Sequence, residues 1–349
     1  FSIKACSEYL DEELSTIKPK VIGLLGNVAI QRVLGKDAGK VTQLRGNAIR
    51  SERYNCWCVP MFHPSYVLQN MHDLALKDLL IKDLKQVKDI SLKDEWVKQK
   101  SPVNYTICTT IENVNEQMEI LKTKPVYSFD IETTSKDFLK AELISNAFSY
   151  QEHTAFAVPF YRNRIKIWNP DEELQIMGLF KDVLSSNQIK IAHNINFETL
   201  CFMKWGIHIE FPLYDTMLMH HLLDENSNKK GDRELGTLAW RYTDMGGYKD
   251  ATEPYIEDMM GCPFDLMVHR NAADVDCTLR LYNLFYKELS NESLLTLYNT
   301  VVMGEQPILT ESQFRGVRVD IDRLENFATK YLDIISDLNA NSLTFAIPL

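Results

Sequence analysis

Nowhere in the 349 residues is there an uninterrupted apolar run approaching the roughly 18 residues that a membrane-spanning helix needs, so no partner membrane is expected. Paired cysteines are missing too. The seven, at positions 6, 56, 58, 108, 201, 262 and 277, are odd in number and scattered. That argues against a disulfide framework and for reduced thiols in a cytoplasmic setting. Positive charge is in deficit: the net charge of -10 gives no global attraction for a polyanion, so a nucleic-acid role needs local basic groups or bound cations to offset phosphate. A carboxylate-rich metal site is locally acidic in any case, and the deficit leaves such a site open. No internal repeat or low-complexity tract is visible. The opening FSIKACSEYL has neither an initiator methionine nor the regions of a signal peptide, and reads as a piece of something longer.

What is present is ordinary for a globular protein: 45% apolar and 25% charged residues, in a chain long enough for two domains and part of a third. The fold class expected is α/β. ACSEYLDEELSTI has a helical pattern, VIGLLG reads as a strand, and NVAIQRVLG and ALKDLLIKDLKQVKDI read as helices. DEWVKQKSPVN is a plausible linker near residue 100. A second α/β unit follows. PVYSFDIETTS, ELISNAFSY, TAFAVPF and IKIAHNINF are strand-like, DEELQIMGLFKDVLSS is a helix capped by NPDEE, and DTMLMHHLL and RELGTLAWRYT continue as helices. YKDATEPYIEDMMGCPF is loop-like. The chain is helical again from about 279, and GVRVDIDRLENFATKYLDII should turn from a short strand into a helix.

Three short stretches bear on chemistry. Asp130 and Glu132 end the first strand of the second unit, and residues two apart in a strand face one side. Two acids on an otherwise buried strand repel unless a cation or donors compensate. An Asp-x-Glu pair is weak evidence alone. In AHNINFETL, Asn194 and Phe197 flank a strand-to-helix transition with Glu198 following, which reads equally as a helix capped by Asn196 with an acid in its first turn. In HRNAADVDCTL, the spacing of Ala273, Cys277, Leu281 and Leu284 makes a buried stripe with Asp274 at its margin, while Asp276 and Arg280 are spaced for a surface ion pair. Glu198 follows Glu132 by 66 residues and Asp274 follows Glu198 by 76. Four carboxylates so ordered suit hard divalent cations, and a neutral histidine beside them, His269, suits proton abstraction near pH 7.

In this order the motifs resemble those of the DEDD 3'-5' exonucleases, specifically the proofreading domain of family A DNA polymerases, over roughly residues 103 to 290. The resemblance implies a ribonuclease H-like mixed sheet flanked by helices. It implies two divalent metal ions, magnesium or manganese, held by Asp130, Glu132, Glu198 and Asp274, with Asp130 between them. Thr133, Asn194 and Phe197 would grip the terminal nucleotide of a single-stranded or frayed DNA 3' end. Two departures stand out. The second motif usually has aspartate where this chain has Glu198, and Arg270 occupies the place where a tyrosine usually lies four residues before the last aspartate. His269, five before, fits a histidine variant and is the expected base, with a structural histidine as the other reading. Asp215 is the alternative fourth carboxylate.

KPKVIGLLGNVAIQRVLG, VTQLRG and FHPSYVL resemble the C-terminal half of an iron-sulfur type uracil-DNA glycosylase, a parallel-sheet fragment in which His63, Pro64 and Ser65 match a DNA-contacting motif. Cys6 matches one cluster ligand, but one cysteine cannot hold a cluster, so no iron-sulfur cluster is expected. EQPILTESQFRGVRVDIDRLENF resembles the entry to a family A polymerase domain, expected to be contiguous in a longer protein. The modules in that order resemble bacteriophage replicative polymerases, which would place the chain in a host cytoplasm. The expected boundaries are 1–100, 101–290 and 291–349, the last a helical segment. The leading expectation is an exonuclease that proofreads during replication; the alternatives are a non-catalytic DNA-clamping or partner-binding module and a glycosylase.

Overall fold

A computed structural model describes residues 7–70, 74–92, 102–225 and 231–345. Residues 94–101 of the proposed linker, and Cys6, lie outside the described residues. The chain divides into two compact units, Phe1–Gln306 and Pro307–Leu349. Among the described residues no helix is long and apolar enough to cross a membrane.

The larger unit begins with α1 (Ser7–Ile17), followed by β1 (Val21–Leu25), α2 (Gly26–Leu34), α3 (Val41–Leu44), β2 (Ile49–Ser51), β3 (Cys56–Met61), α4 (Pro64–Gln69) and α5 (Leu74–Leu92). β3 is central, parallel to β1 and antiparallel to the short β2. Leu24, Ile30, Cys56, Cys58 and Leu79 form its core. His63, with extended backbone, caps α4: Nδ1 accepts from Ser65 N at 3.1 Å and lies 2.6 Å from the Ser65 hydroxyl, with Pro64 as the first helical residue.

The second sheet is built from β4 (Asn104–Ile107), β5 (Val126–Thr133), β6 (Leu143–Gln151), β7 (Thr154–Pro159), β10 (Ile189–Ala192) and β11 (Leu213–Asp215), with a two-stranded ribbon of β8 (Tyr161–Arg162) and β9 (Ile165–Lys166) to one side. Its order is β11-β10-β5-β6-β7-β4, with antiparallel pairing at β5-β6 and β6-β7 and parallel pairing elsewhere. Helices α6 (Ile111–Lys122), α7 (Pro170–Leu184), α8 (Ile195–Lys204), α9 (Thr216–Leu223), α10 (Leu235–Tyr242) and α11 (Phe264–Asn291) flank it. The expected cap of α7 takes the form of a capping box: Asn169 Oδ1 accepts from Asp171 N and Glu172 N, and Glu172 Oε2 accepts from Asn169 N. Tyr127, Phe129, Phe148, Phe156, Phe180 and Phe202 are fully buried in one core, each contributing about 1.5–3 kcal/mol by burial.

The helix bearing Asp274 starts at Phe264, earlier than the sequence pattern placed it, and runs 28 residues without a break. The loop-like stretch before it folds into two 3-10 turns, Asp250–Tyr255 and Met259–Gly261. Residues 291–306 pack with the larger unit: Tyr298 is fully buried, and its hydroxyl accepts from Asp215 N at 2.8 Å.

The smaller unit takes up the helix α12 (Met303–Arg315) from Pro307 and continues into α13 (Ile321–Phe345). The short strand expected in GVRVD is not formed. Residues 316–320 have no described strand to pair with; Gly316 takes a positive φ of 68° as α12 ends, and Asp320 caps α13 by accepting from Arg323 N at 3.0 Å.

Candidate active site

Alternation along β5 sends Tyr127, Phe129 and Ile131 into the apolar core and Ser128, Asp130 and Glu132 to the opposite face, beneath α11. That face is thin. Ala147, Ala155 and Ala157 of β6 and β7 cluster with Ala272 and Val275, so the helix descends close onto the sheet. Two polar contacts fix its register: the Ser128 hydroxyl donates to Val275 O at 2.6 Å, and Asn271 Nδ2 donates to Asp130 Oδ2 at 2.9 Å. Asp274, buried at 3% exposure, thereby meets the two strand acids. Asp130, Glu132 and Asp274 each offer an oxygen within 4.8 Å of the others.

Glu198 joins from α8. The turn before it uses Asn194 in the left-handed region (φ 72°), and the expected Asn196 cap is not formed there. Instead the Asp215 carboxylate accepts from the backbone of Asn194 at 3.1 Å and Ile195 at 2.9 Å, and also caps α9 through Met217 N and Leu218 N. Asp215 is thus a structural acid with its oxygens occupied. Glu198 is buried, and its Oε2 has no hydrogen-bond partner. Burial raises its carboxyl well above the usual range, and the charge of Asp130 adds to this. Asp130 is likewise raised by burial first, then by Asp274 and Glu132, against the opposing pull of Lys249 and Arg270. Glu132 is raised by burial, with Arg270 opposing. Three of the four expected acids therefore converge on one point, and the fourth stands beside Asp130, outside that group.

The compensating cations were not among the expected site residues. Lys249 Nζ lies 2.8 Å from Asp274 Oδ1, and the Tyr248 hydroxyl donates to the same oxygen. Arg270 Nε lies 3.0 Å from Glu132 Oε1 and 3.7 Å from Asp274 Oδ2, an ion pair that is not aligned as a hydrogen bond. Tyr248 and Lys249 sit in a loop with no periodicity to betray them. Arg270 was readable: four residues before Asp274 is about 40° around a helix, whereas five is about 140°.

That geometry corrects two expectations. His269 does not meet the acids; it is exposed on the far side of α11, its ring centroid 6.3 Å from that of Tyr105. Asp276 is not half of a surface pair. It is fully buried, salt-bridged to Arg280, and accepts from the Tyr105 hydroxyl at 2.7 Å and His153 N at 2.8 Å, tying α11 to the sheet edge.

Two clefts open beside the acids. One, of about 520 Å³, is lined by Glu132, Thr133, Lys136, Phe197 and Arg270; the other, of about 870 Å³, by Asp130, Lys136, Asn194, Arg233, Lys249 and Arg270. Thr133 is half-buried and donates to Ser135 O at 2.9 Å; Asn194 is exposed and Phe197 half-buried. Lys136, Arg233, Lys249 and Arg270 bring positive charge to these clefts in a chain whose net charge is -10.

Residues 105–290 match the 3'-5' exonuclease family, and residues 2–85 match the uracil DNA glycosylase superfamily. The DNA polymerase of Escherichia phage T5 is 31% identical over 221 residues, covering 57% of this chain and 24% of that protein. The DNA polymerase of Bacillus phage SP01 is 25% identical over 381 residues, covering 96% of this chain and 38% of that one. The chain thus spans less than two fifths of the length of either polymerase. Among solved structures, the POL domain of Pol1 from M. smegmatis, in complex with DNA primer-template and dNTP, has a similar fold, with a TM-score of 0.50 and 15% identity over 66% of this chain and 36% of that one. Matched over more than half of its length, with a glycosylase-like portion ahead of the match, the chain belongs to the 3'-5' exonuclease family of family A DNA polymerases.

Proposed function

We propose that this chain removes nucleotides from single-stranded or frayed 3' ends of DNA, as the proofreading portion of a replicative polymerase working in the cytoplasm. The observation that carries the reading is the convergence of Asp130, Glu132 and Asp274 within 4.8 Å, with the orphaned Glu198 Oε2 buried alongside. Carboxylates converging in this way suit hard divalent cations. Asp130, Glu132, Asp274 and Glu198 would hold two magnesium or manganese ions. When bound, such a pair supplies an activated water and stabilises the charge on the departing 3' oxygen.

The chain's own residues do the rest. Phe197 offers a face on which a terminal base stacks, and Thr133 and Asn194 flank the clefts on either side of the acids. Lys136 and Arg233 offset phosphate charge. The Tyr248 hydroxyl, held on Asp274, is the neutral group placed to orient the attacking water, because burial keeps it protonated. Residues 1–100, 101–290 and 291–349 serve respectively as a glycosylase-like portion, the nuclease and the entry to a contiguous polymerase domain. His63, Pro64 and Ser65 are an exposed remnant that can touch DNA.

One observation favours a second reading. Lys249 and Arg270 neutralise the acids from within, as a non-catalytic clamp would require. A 3'-end degradation assay on single-stranded DNA separates the two. The nuclease reading expects shortening with magnesium or manganese that chelator and Asp130→Ala both abolish; binding without product would establish the clamp.

A further inference from the structure

The glycosylase-like portion is docked on the helix that precedes Tyr248 and Lys249. Arg45, only 3% exposed, is its centre. Its Nη2 lies 3.0 Å from Asp83 Oδ1 and its Nε 3.2 Å from Asp83 Oδ2, which fixes the plane of the guanidinium on α5. The remaining arm, Nη1, donates to Trp240 O at 3.1 Å. Trp240 lies in the last turn of α10, where helix carbonyls have no intrahelical partner and where a cation is favoured by the helix dipole. One residue beyond α10, Thr243 O accepts from Lys82 Nζ, also at 3.1 Å.

The chain then turns under the Trp240 indole. A Cβ on Gly246 would come within 2.2 Å of that ring and one on Gly247 within 3.1 Å, so the turn is pressed against it. Tyr248 and Lys249 follow at once and reach Asp274. A continuous path of packed groups therefore runs from Asp83 through Arg45, the Trp240 carbonyl and ring, and the glycine turn to the acid cluster.

We propose that Arg45 is a positioning residue for the nuclease site: the glycosylase-like portion holds the end of α10, and through it the turn that sets Tyr248 and Lys249 on Asp274. The proposal rests on reading the acid cluster as the exonuclease centre. It gives the glycosylase-like portion a task that needs no flipped base.

Two variants of the 349-residue chain test it. Arg45→Lys keeps a charge for Asp83 but gives up the planar fork that also reaches Trp240 O. The double variant Arg45→Met with Asp83→Leu exchanges the buried pair for apolar side chains, which commonly preserves folding. In either variant, provided it melts like the parent, hydrogen exchange at the amides of 244–249 should quicken. The kcat for 3'-end release should fall by about threefold to tenfold while KM for the strand stays within about twofold, because groups at the reacting centre are displaced and the strand contacts are not. Parent-like exchange and kcat in both folded variants would overturn the proposal, as would faster exchange with unchanged kcat, or a change confined to KM. A parent chain that releases no nucleotide would instead remove the nuclease reading, an outcome visible before any variant is made.

Discussion

Arg270 and Asp274 stand one turn apart on α11, and the Arg270 guanidinium reaches past Asp274 to Glu132, pairing an acid of the helix with an acid of the strand. A protein cation thus occupies part of the electrostatic role that a divalent ion would fill. Arg270→Met should therefore bind manganese more tightly, by about tenfold if the guanidinium opposes the ion by about 1.4 kcal/mol. Isothermal titration in the absence of DNA reads this directly. Unchanged affinity would mean that the arginine yields its place at no cost.

His269→Ala should retain activity within about twofold of the parent, since an exposed side chain about 140° around the helix from Asp274 cannot take a proton from water at the acids. Steady-state rates on a labelled single strand would measure it. A loss of a hundredfold would restore the histidine as the base.

Asp215 and Asp130 should respond to substitution with opposite signs. Asp215 accepts four backbone N–H groups, so Asp215→Ala leaves buried donors unsatisfied and should cost about 3 kcal/mol or more. Asp130 is crowded by Asp274 and Glu132, so Asp130→Asn should raise the melting temperature of the chelated protein even as it abolishes cleavage. Thermal melts in chelator compare the two, and a drop for Asp130→Asn would show that its repulsion is already compensated.

His193 predicts an acid-labile fold. Its Nε2 donates to Arg233 O at 2.9 Å, its Nδ1 lies 2.9 Å from the Thr216 hydroxyl, and burial drives its pKa down from 6.5 to about 3, with Lys249 adding to the shift. A depressed folded pKa means that this contribution is present in full above about 6.5 and is lost progressively as pH falls toward 3. The midpoint of urea unfolding should decline over that window, and less steeply in His193→Gln than in the parent. Equal slopes would place the acid sensitivity elsewhere, with buried His220 the next to test.

Both the order of elements and the strand acids were legible because each rests on a local period: alternation around Asp130 and Glu132, and a capping sequence at Asn169. Asp274 was legible as a misfit beside an apolar stripe. Motif spacing points to His269, but five residues along α11 turn it about 140° away from Asp274. Arg270, one position later, carries the side chain that faces the acids. Tyr248 and Lys249 reach Asp274 through tertiary packing from a loop, and no pattern in a one-dimensional chain marks such a pair. Asp276 looked superficial because its partner Arg280 is charged, yet its other partners, Tyr105 and the His153 amide, come from a sheet edge more than a hundred residues away.

The alanines between sheet and helix have a further consequence. Ala147, Ala155, Ala157 and Ala272 bear no charge and no polar side-chain atom, yet the thickness of that layer determines how far Asp274 stands from Asp130. The gauge of the gap between these acids is in this sense a volume, set by methyl groups. Enlarging one of them would alter the chemistry of the centre without changing any residue in it.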